Sequence, residues 1–167
     1  HIDDAGRLML LAPRDSHVIR NPDKWWIERR LLVRELLDHG KMPLAYRIAR
    51  DAAPPLKESL RVDQPFTAGW IALRFLHDPH RATEHFARIP GVTTHPTSLA
   101  RGQYWLGRAA EAAGRGREAH RHYRVAGQYT AAYYGQLARA RLGHRAVAMR
   151  RPPSLDPLRR ATLRNVD

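Results

Sequence analysis

Three alanines, Ala45, Ala82 and Ala119, stand 37 residues apart each time, and the spacing carries a pattern with it. Four residues after them come Ala49, Phe86 and Tyr123, and seven after them come Ala52, Ile89 and Ala126. Offsets of four and seven put these positions on one stripe of a helix. A small residue early in the stripe lets a neighbouring helix approach closely, and an aromatic one turn later fills the groove beside it. A period of roughly 30 to 40 residues made of helix, turn and helix stacks into an α-solenoid, because each unit buries a face it could not bury alone. The predicted fold is therefore all-α: a superhelix of antiparallel helix pairs, with about three repeats plus flanking helices.

Local signals agree with that period. A helix is predicted over 23–38, opened by Asn21-Pro22, closed by Gly40, and carrying Trp25, Trp26, Leu32, Val33, Leu36 and Leu37 at helical intervals. The next runs over 43–52 and stops before Pro54-Pro55. A third covers 65–76, with Phe66, Trp70 and Leu73 on one face. Asp78-Pro79 supplies an N-cap carboxylate with proline at the first helical position, and the helix it starts turns Ala82, Phe86 and Ile89 inward before Pro90-Gly91. Further helices are predicted over 98–113, 117–126 and 130–142, the first two separated by Gly114-Arg115-Gly116. In the third unit Leu106-Gly107, Gly114, Ala119, Tyr123 and Ala126 resemble the small and large positions of a tetratricopeptide-type repeat. The first two units match in part, with Gly40 and His77 in the hairpin position. The chain divides into a partial helix and loop (1–21), the repeat region (22–143) and a basic, proline-containing linker entering a further helix (144–167).

Composition narrows the partners. The chain has 29 basic and 16 acidic residues, a net charge of +13 and a pI near 11.2, so polyanions are favoured: nucleic acid, acidic lipid or an acidic wall polymer. All but three of the basic residues are arginine, a bias that GC-rich coding alone produces, which weakens the charge as a binding signal. With no cysteine there is no disulfide framework, thiol nucleophile or Cys-ligated metal. No apolar run is long enough for a transmembrane helix, and the start, His1-Ile2-Asp3-Asp4, is neither a secretory leader nor an initiator Met, as expected of a processed product or fragment.

Chemistry is sparse. The ten histidines include His77, His80 and His85, and His120 with His122, but no pair has the spacing of a helical zinc site, so solvated surface histidines are expected and no metal or cofactor is predicted. Glu35 and Asp38, one turn apart, sit among Arg29, Arg30 and Arg34 and read as helix-surface ion pairs rather than an acid/base pair. No phosphate loop or nucleophile elbow is present. Most of Trp25, Trp70, Tyr104, Trp105, Tyr133 and Tyr134 read as core, although Tyr133 and Tyr134 are also candidates to face a ligand or a neighbouring domain. Arg101 and Arg108, seven apart on one helix, are candidates to grip an anion, against a plain solvated face.

Four segments, Trp25-Trp26-Ile27-Glu28-Arg29, FTAGWIALRFL (66–76), ARGQYWLGRAA (100–110) and YYGQLA (133–138), resemble in order and spacing the superhelical region of soluble lytic murein transglycosylases, over about three quarters of the chain. The resemblance implies a noncatalytic domain of a periplasmic, peptidoglycan-cleaving enzyme, which shapes access of glycan strands and supports a lysozyme-like catalytic module. That module forms 1,6-anhydromuramoyl ends, using a Glu in a Glu-Ser motif followed by Gly-Leu-Met-Gln. Here Glu58-Ser59 is followed by Leu60-Arg61-Val62-Asp63 and precedes 66–76, so no catalytic residue is assigned and the catalytic module is expected beyond this chain. Two other classes fit the pattern: a tetratricopeptide-like adaptor holding a protein segment, and a basic solenoid holding nucleic acid. The last is disfavoured because neither exposed aromatics nor a repeated code residue stands out.

Overall fold

The computed structural model describes residues 1–15 and 17–144. The linker and entering helix expected over 144–167 therefore fall, from residue 145 on, outside the described residues. Eight α-helices follow one another: α1 (Ile2–Leu11), α2 (Pro22–Asp38), α3 (Met42–Arg50), α4 (Glu58–Arg74), α5 (Pro79–Phe86), α6 (Pro96–Ala112), α7 (Gly116–Ala126) and α8 (Tyr133–Arg141), with a 3-10 turn at Ile89–Gly91. Among the described residues there is no strand.

The helices pack in chain order. α2 lies on α3, α4 on α5 and α6 on α7, while α3, α5 and α7 also meet the first helix of the next pair. First helices touch across pairs as well, α2 with α4, α4 with α6 and α6 with α8, and α1 covers α2 and α3. This is a helical solenoid, in which helices pack against those one or two places away along the chain.

The 37-residue stripe is the core of each pair. Ala45, Ala82 and Ala119, then Ala49, Phe86 and Tyr123, then Ala52, Ile89 and Ala126, are all buried. The aromatic members are received by glycines of the preceding helix. A Cβ on Gly69 would lie 2.7 Å from the Phe86 ring, and one on Gly107 would lie 2.5 Å from the Tyr123 ring. In the first pair the sizes exchange, since the counterpart of Phe86 is Ala49 and the counterpart of Gly69 is Leu32.

The hairpins recur too. Gly40, His77 and Gly114 all have positive φ, at 72°, 53° and 72°. At the two glycines the chain closes in a Schellman arrangement: Gly40 and Lys41 donate to the carbonyls of Leu37 and Leu36, and Gly114 and Arg115 donate to those of Glu111 and Ala110. Asp78 caps α5 as its sequence requires, its carboxylate accepting from Arg81 N–H at 3.0 Å.

Three expectations need correction. The helix predicted over 65–76 begins at Glu58, with Pro65 inside it. Its start is held from a distance, by the Asp23 carboxylate in the first turn of α2, which accepts from Leu56 N–H at 2.7 Å and Lys57 N–H at 3.2 Å. Second, its buried stripe runs through Val62, Pro65, Gly69 and Ala72, leaving Phe66 and Trp70 half-buried at the edge. Third, Arg29 is not a surface partner of Glu35 or Asp38. It is 1% exposed and donates to the carbonyls of Met9 and Ile48, both at 3.1 Å. Its guanidinium thus joins the C-terminal turns of α1 and α3, where helix dipoles favour a cation.

Candidate functional site

A groove of about 380 Å³ crosses the first helices of successive pairs, so the repeat itself builds it. α2 contributes Arg30, α4 Ser59 and Asp63, α6 Ser98 and Arg101, and α8 Tyr134. No two of these helices belong to one hairpin.

Charge in the groove is uneven. A single Asp63 oxygen, Oδ2, accepts from Trp26 Nε1 at 3.0 Å and from Arg30 Nη1 at 3.1 Å, which fixes the carboxylate and half neutralises the rim. Arg101 has no such partner at its Nε, which is buried without a hydrogen bond, and its guanidinium carbon lies 4.2 Å from the centre of the Phe66 ring. Burial lowers the Arg101 pKa while the nearby Asp63 charge opposes the shift. An arginine so placed stays protonated at neutral pH. It is an under-compensated cation among hydroxyls, suited to the carboxylates of an extended polar chain.

The sequence candidates divide here. Arg101 and Tyr134 come together in the groove. Arg108 turns away from it, with Nε 3.4 Å from Glu111 and Nη1 donating to the Tyr104 hydroxyl at 3.4 Å, so the two arginines seven apart do not form a shared grip. Tyr133 is 66% exposed and packs edge-on against Tyr134. Tyr104 is buried, Trp70 and Trp105 are half-buried, and Trp25 is exposed, which separates it from the core expected for this set. Arg30 and Asp63 were not singled out as a pair. They are 33 residues apart, and what links them is the stacking of α2 on α4 rather than any local motif.

Glu58 is exposed at the start of α4 and accepts from the Thr93 hydroxyl at 2.5 Å, the position of a helix-terminal anchor. The histidines are not uniformly solvated. His77, His80 and His120 are exposed, but His85 is buried on α5 with Nε2 2.9 Å from the Tyr46 hydroxyl, and His122 is half-buried with Nδ1 2.9 Å from Gln103 Oε1. Burial lowers both pKa values, that of His85 to about 4. Among the described residues no three His, Asp or Glu side chains gather as a metal cage, and no helix is long and apolar enough to cross a membrane. A larger hollow of about 520 Å³ opens between α7 and α8 beside His144. No family model, curated protein or solved structure matches the chain.

Proposed function

We propose that this chain is a noncatalytic helical-repeat module that offers its first-helix groove to a carboxylate-bearing wall polymer. In this reading it serves as the superhelical part of a periplasmic lytic transglycosylase whose catalytic module lies elsewhere in the parent protein. One observation carries the reading: Arg101, an under-compensated cation, stands in a groove formed by consecutive repeats and lined with hydroxyls. Peptidoglycan stems carry carboxylates at repeating intervals along an extended chain, and a groove that runs across repeats meets such a chain along its length. The net charge of +13 adds attraction over a Debye length of about 8 Å at physiological salt. The tetratricopeptide-like spacing of the sequence supports a second reading, a protein-binding adaptor using the same groove, and the recurring contact of a glycine with an aromatic ring, Gly69 with Phe86 and Gly107 with Tyr123, is in keeping with it.

Cosedimentation with purified sacculi tests the proposal. The expected result is salt-sensitive binding that Arg101→Gln weakens several-fold, with no anhydro-muropeptide released. Release of anhydro-muropeptides by this chain alone, or binding indifferent to Arg101, overturns it.

A further inference from the structure

A second cavity lies on the other side of the second pair. It measures about 160 Å³, sits between α3, α4 and α5, and is lined by Arg50, Arg61, His85 and Arg88 among others. We propose that this cavity binds a phosphate group, as the free ion or as a phosphomonoester, independently of the groove across the first helices.

The argument begins with unpaired cations. The side chains of Arg61 and Arg88, on different walls, have no ion-pair partner among the described residues. Arg50 is held by Asp51, at 2.6 Å through Nε and 3.0 Å through Nη2, and Asp51 is shared with Arg14 at 3.3 Å. Three arginines from three segments of chain thus line the cavity, and the carboxylates near it are Asp51, already doubly engaged, and Glu84 beside His85. Guanidinium groups approaching from different directions suit a tetrahedral anion with several acceptor oxygens better than a flat carboxylate. The volume admits an ion of that size and is below the ~300 Å³ of ordinary small-molecule pockets.

The C-terminal end of α3 also faces this region, and its carbonyls would repel an anion. Gln64 removes part of that repulsion: its Nε2 donates to the Ala52 carbonyl at 2.9 Å and lies 3.5 Å from that of Ala49. His85, neutral at neutral pH, adds no charge of its own, and where the Tyr46 hydroxyl donates to Nε2 the ring keeps its N–H on Nδ1. The groups facing His85 are Tyr46, which shares its hydrogen bond, and Arg50 on α3, Glu84 on α5 and Arg88 just beyond the end of α5, with Arg61 of α4 on the cavity wall. Against this set, an anion in the cavity favours protonation of the ring.

The test is an NMR titration of the histidine ring resonances of the full chain, with inorganic phosphate, with glycerol phosphate, and with acetate as the carboxylate control. The expected result is saturable binding that raises the His85 pKa by about one unit, a tenfold gain in proton affinity, while exposed His80 does not follow. Response to inorganic phosphate alone assigns the free ion, and response to glycerol phosphate as well assigns an esterified headgroup. Arg61→Ala and Arg88→Ala, both at exposed side chains, should each weaken binding at least fivefold with the helical signal unchanged. Arg101→Gln should leave it unchanged, so failure here is distinct from failure of the groove. A His85 resonance that ignores phosphate, moves in parallel with His80, responds equally to acetate, or is indifferent to both arginine variants overturns the proposal.

Discussion

His85 is 3% exposed and holds its pKa near 4, so the folded chain binds its proton far less readily than the unfolded chain, where the ordinary value is 6.5. Below the unfolded value the unfolded state takes up the proton first, so folding stability is lost as the pH is lowered. The contribution is complete above pH 6.5, declines between 6.5 and 4, and amounts to at most about 3 kcal/mol. His122, also lowered by burial, acts in the same direction. Urea midpoints measured from pH 8 to pH 4.5 should therefore fall. In His85→Gln, which keeps a hydrogen-bonding partner for Tyr46 without the titration, the slope should be visibly shallower. An unchanged slope would mean that His85 is not the group being titrated. The position of this residue was legible: His85 stands between Ala82 and Phe86 on the face that α5 turns inward, and only its polarity argued for the surface. Arg29 was not legible in the same way. Its neighbours in sequence are the acids and bases of an exposed helix face, whereas its partners, Met9 and Ile48, lie on two other helices.

At the level of the element, the hairpins show how well a repeat can be read and where reading stops. Gly40, His77 and Gly114 occupy one position, and glycine takes φ near +72° there without steric cost, while His77 is held at +53°. A side chain in that region costs about 1–2 kcal/mol, part of which is returned because the unfolded chain is less free than with glycine. His77→Gly should therefore raise stability by about 1 kcal/mol, read as a shift of the urea midpoint at constant slope. A loss of stability would show that the imidazole is making a contact the backbone geometry does not reveal. Helix ends with local chemistry were equally plain: Asn21 and Asp78 as N-caps, Gly40 and Gly114 as stops. The start of α4 was not. Pro65 resembles a first-turn proline, yet it sits seven residues into a helix whose beginning is fixed by Asp23 of another helix, a contact with no trace in the surrounding sequence. The groove follows the same division. Arg101 and Tyr134 drew attention as charged and aromatic residues, but Arg108, one of the pair at helical spacing, is claimed by Glu111 and Tyr104 of its own helix.

Across the whole molecule the apolar interior forms two clusters joined through α6. The larger runs from Trp26 on α2 through Tyr46, Ile71 and Phe86 to Leu106, and the smaller gathers Tyr104, Ala110, Ala119, Tyr123, Ala126 and Ala138, with Trp105 packed against both. In a solenoid, stability is a sum of unit and neighbour terms, so the part with less buried apolar surface opens first. Gly69 and Gly107 give matched probes, one at each cluster. Alanine gains about 1 kcal/mol in helix propensity at either site, but its methyl would collide with the buried ring of Phe86 or Tyr123, and overpacking of that kind costs roughly 1–3 kcal/mol. At these distances the collision outweighs the propensity gain. Gly107→Ala should speed hydrogen exchange in α7 and α8 by up to about tenfold, equivalent to 1.4 kcal/mol, with α3 and α4 nearly unchanged, and Gly69→Ala should slow no segment and loosen α4 and α5 first. Equal acceleration of every helix by either variant would show instead one cooperative unit. The groove makes the distinction consequential: Arg30 and Asp63 stand on helices of the larger cluster and Tyr134 on a helix of the smaller, so opening at α7–α8 removes one wall while the other stays in place. A chain bound along the groove would contact both walls, and exchange in α8 should slow when the groove is filled.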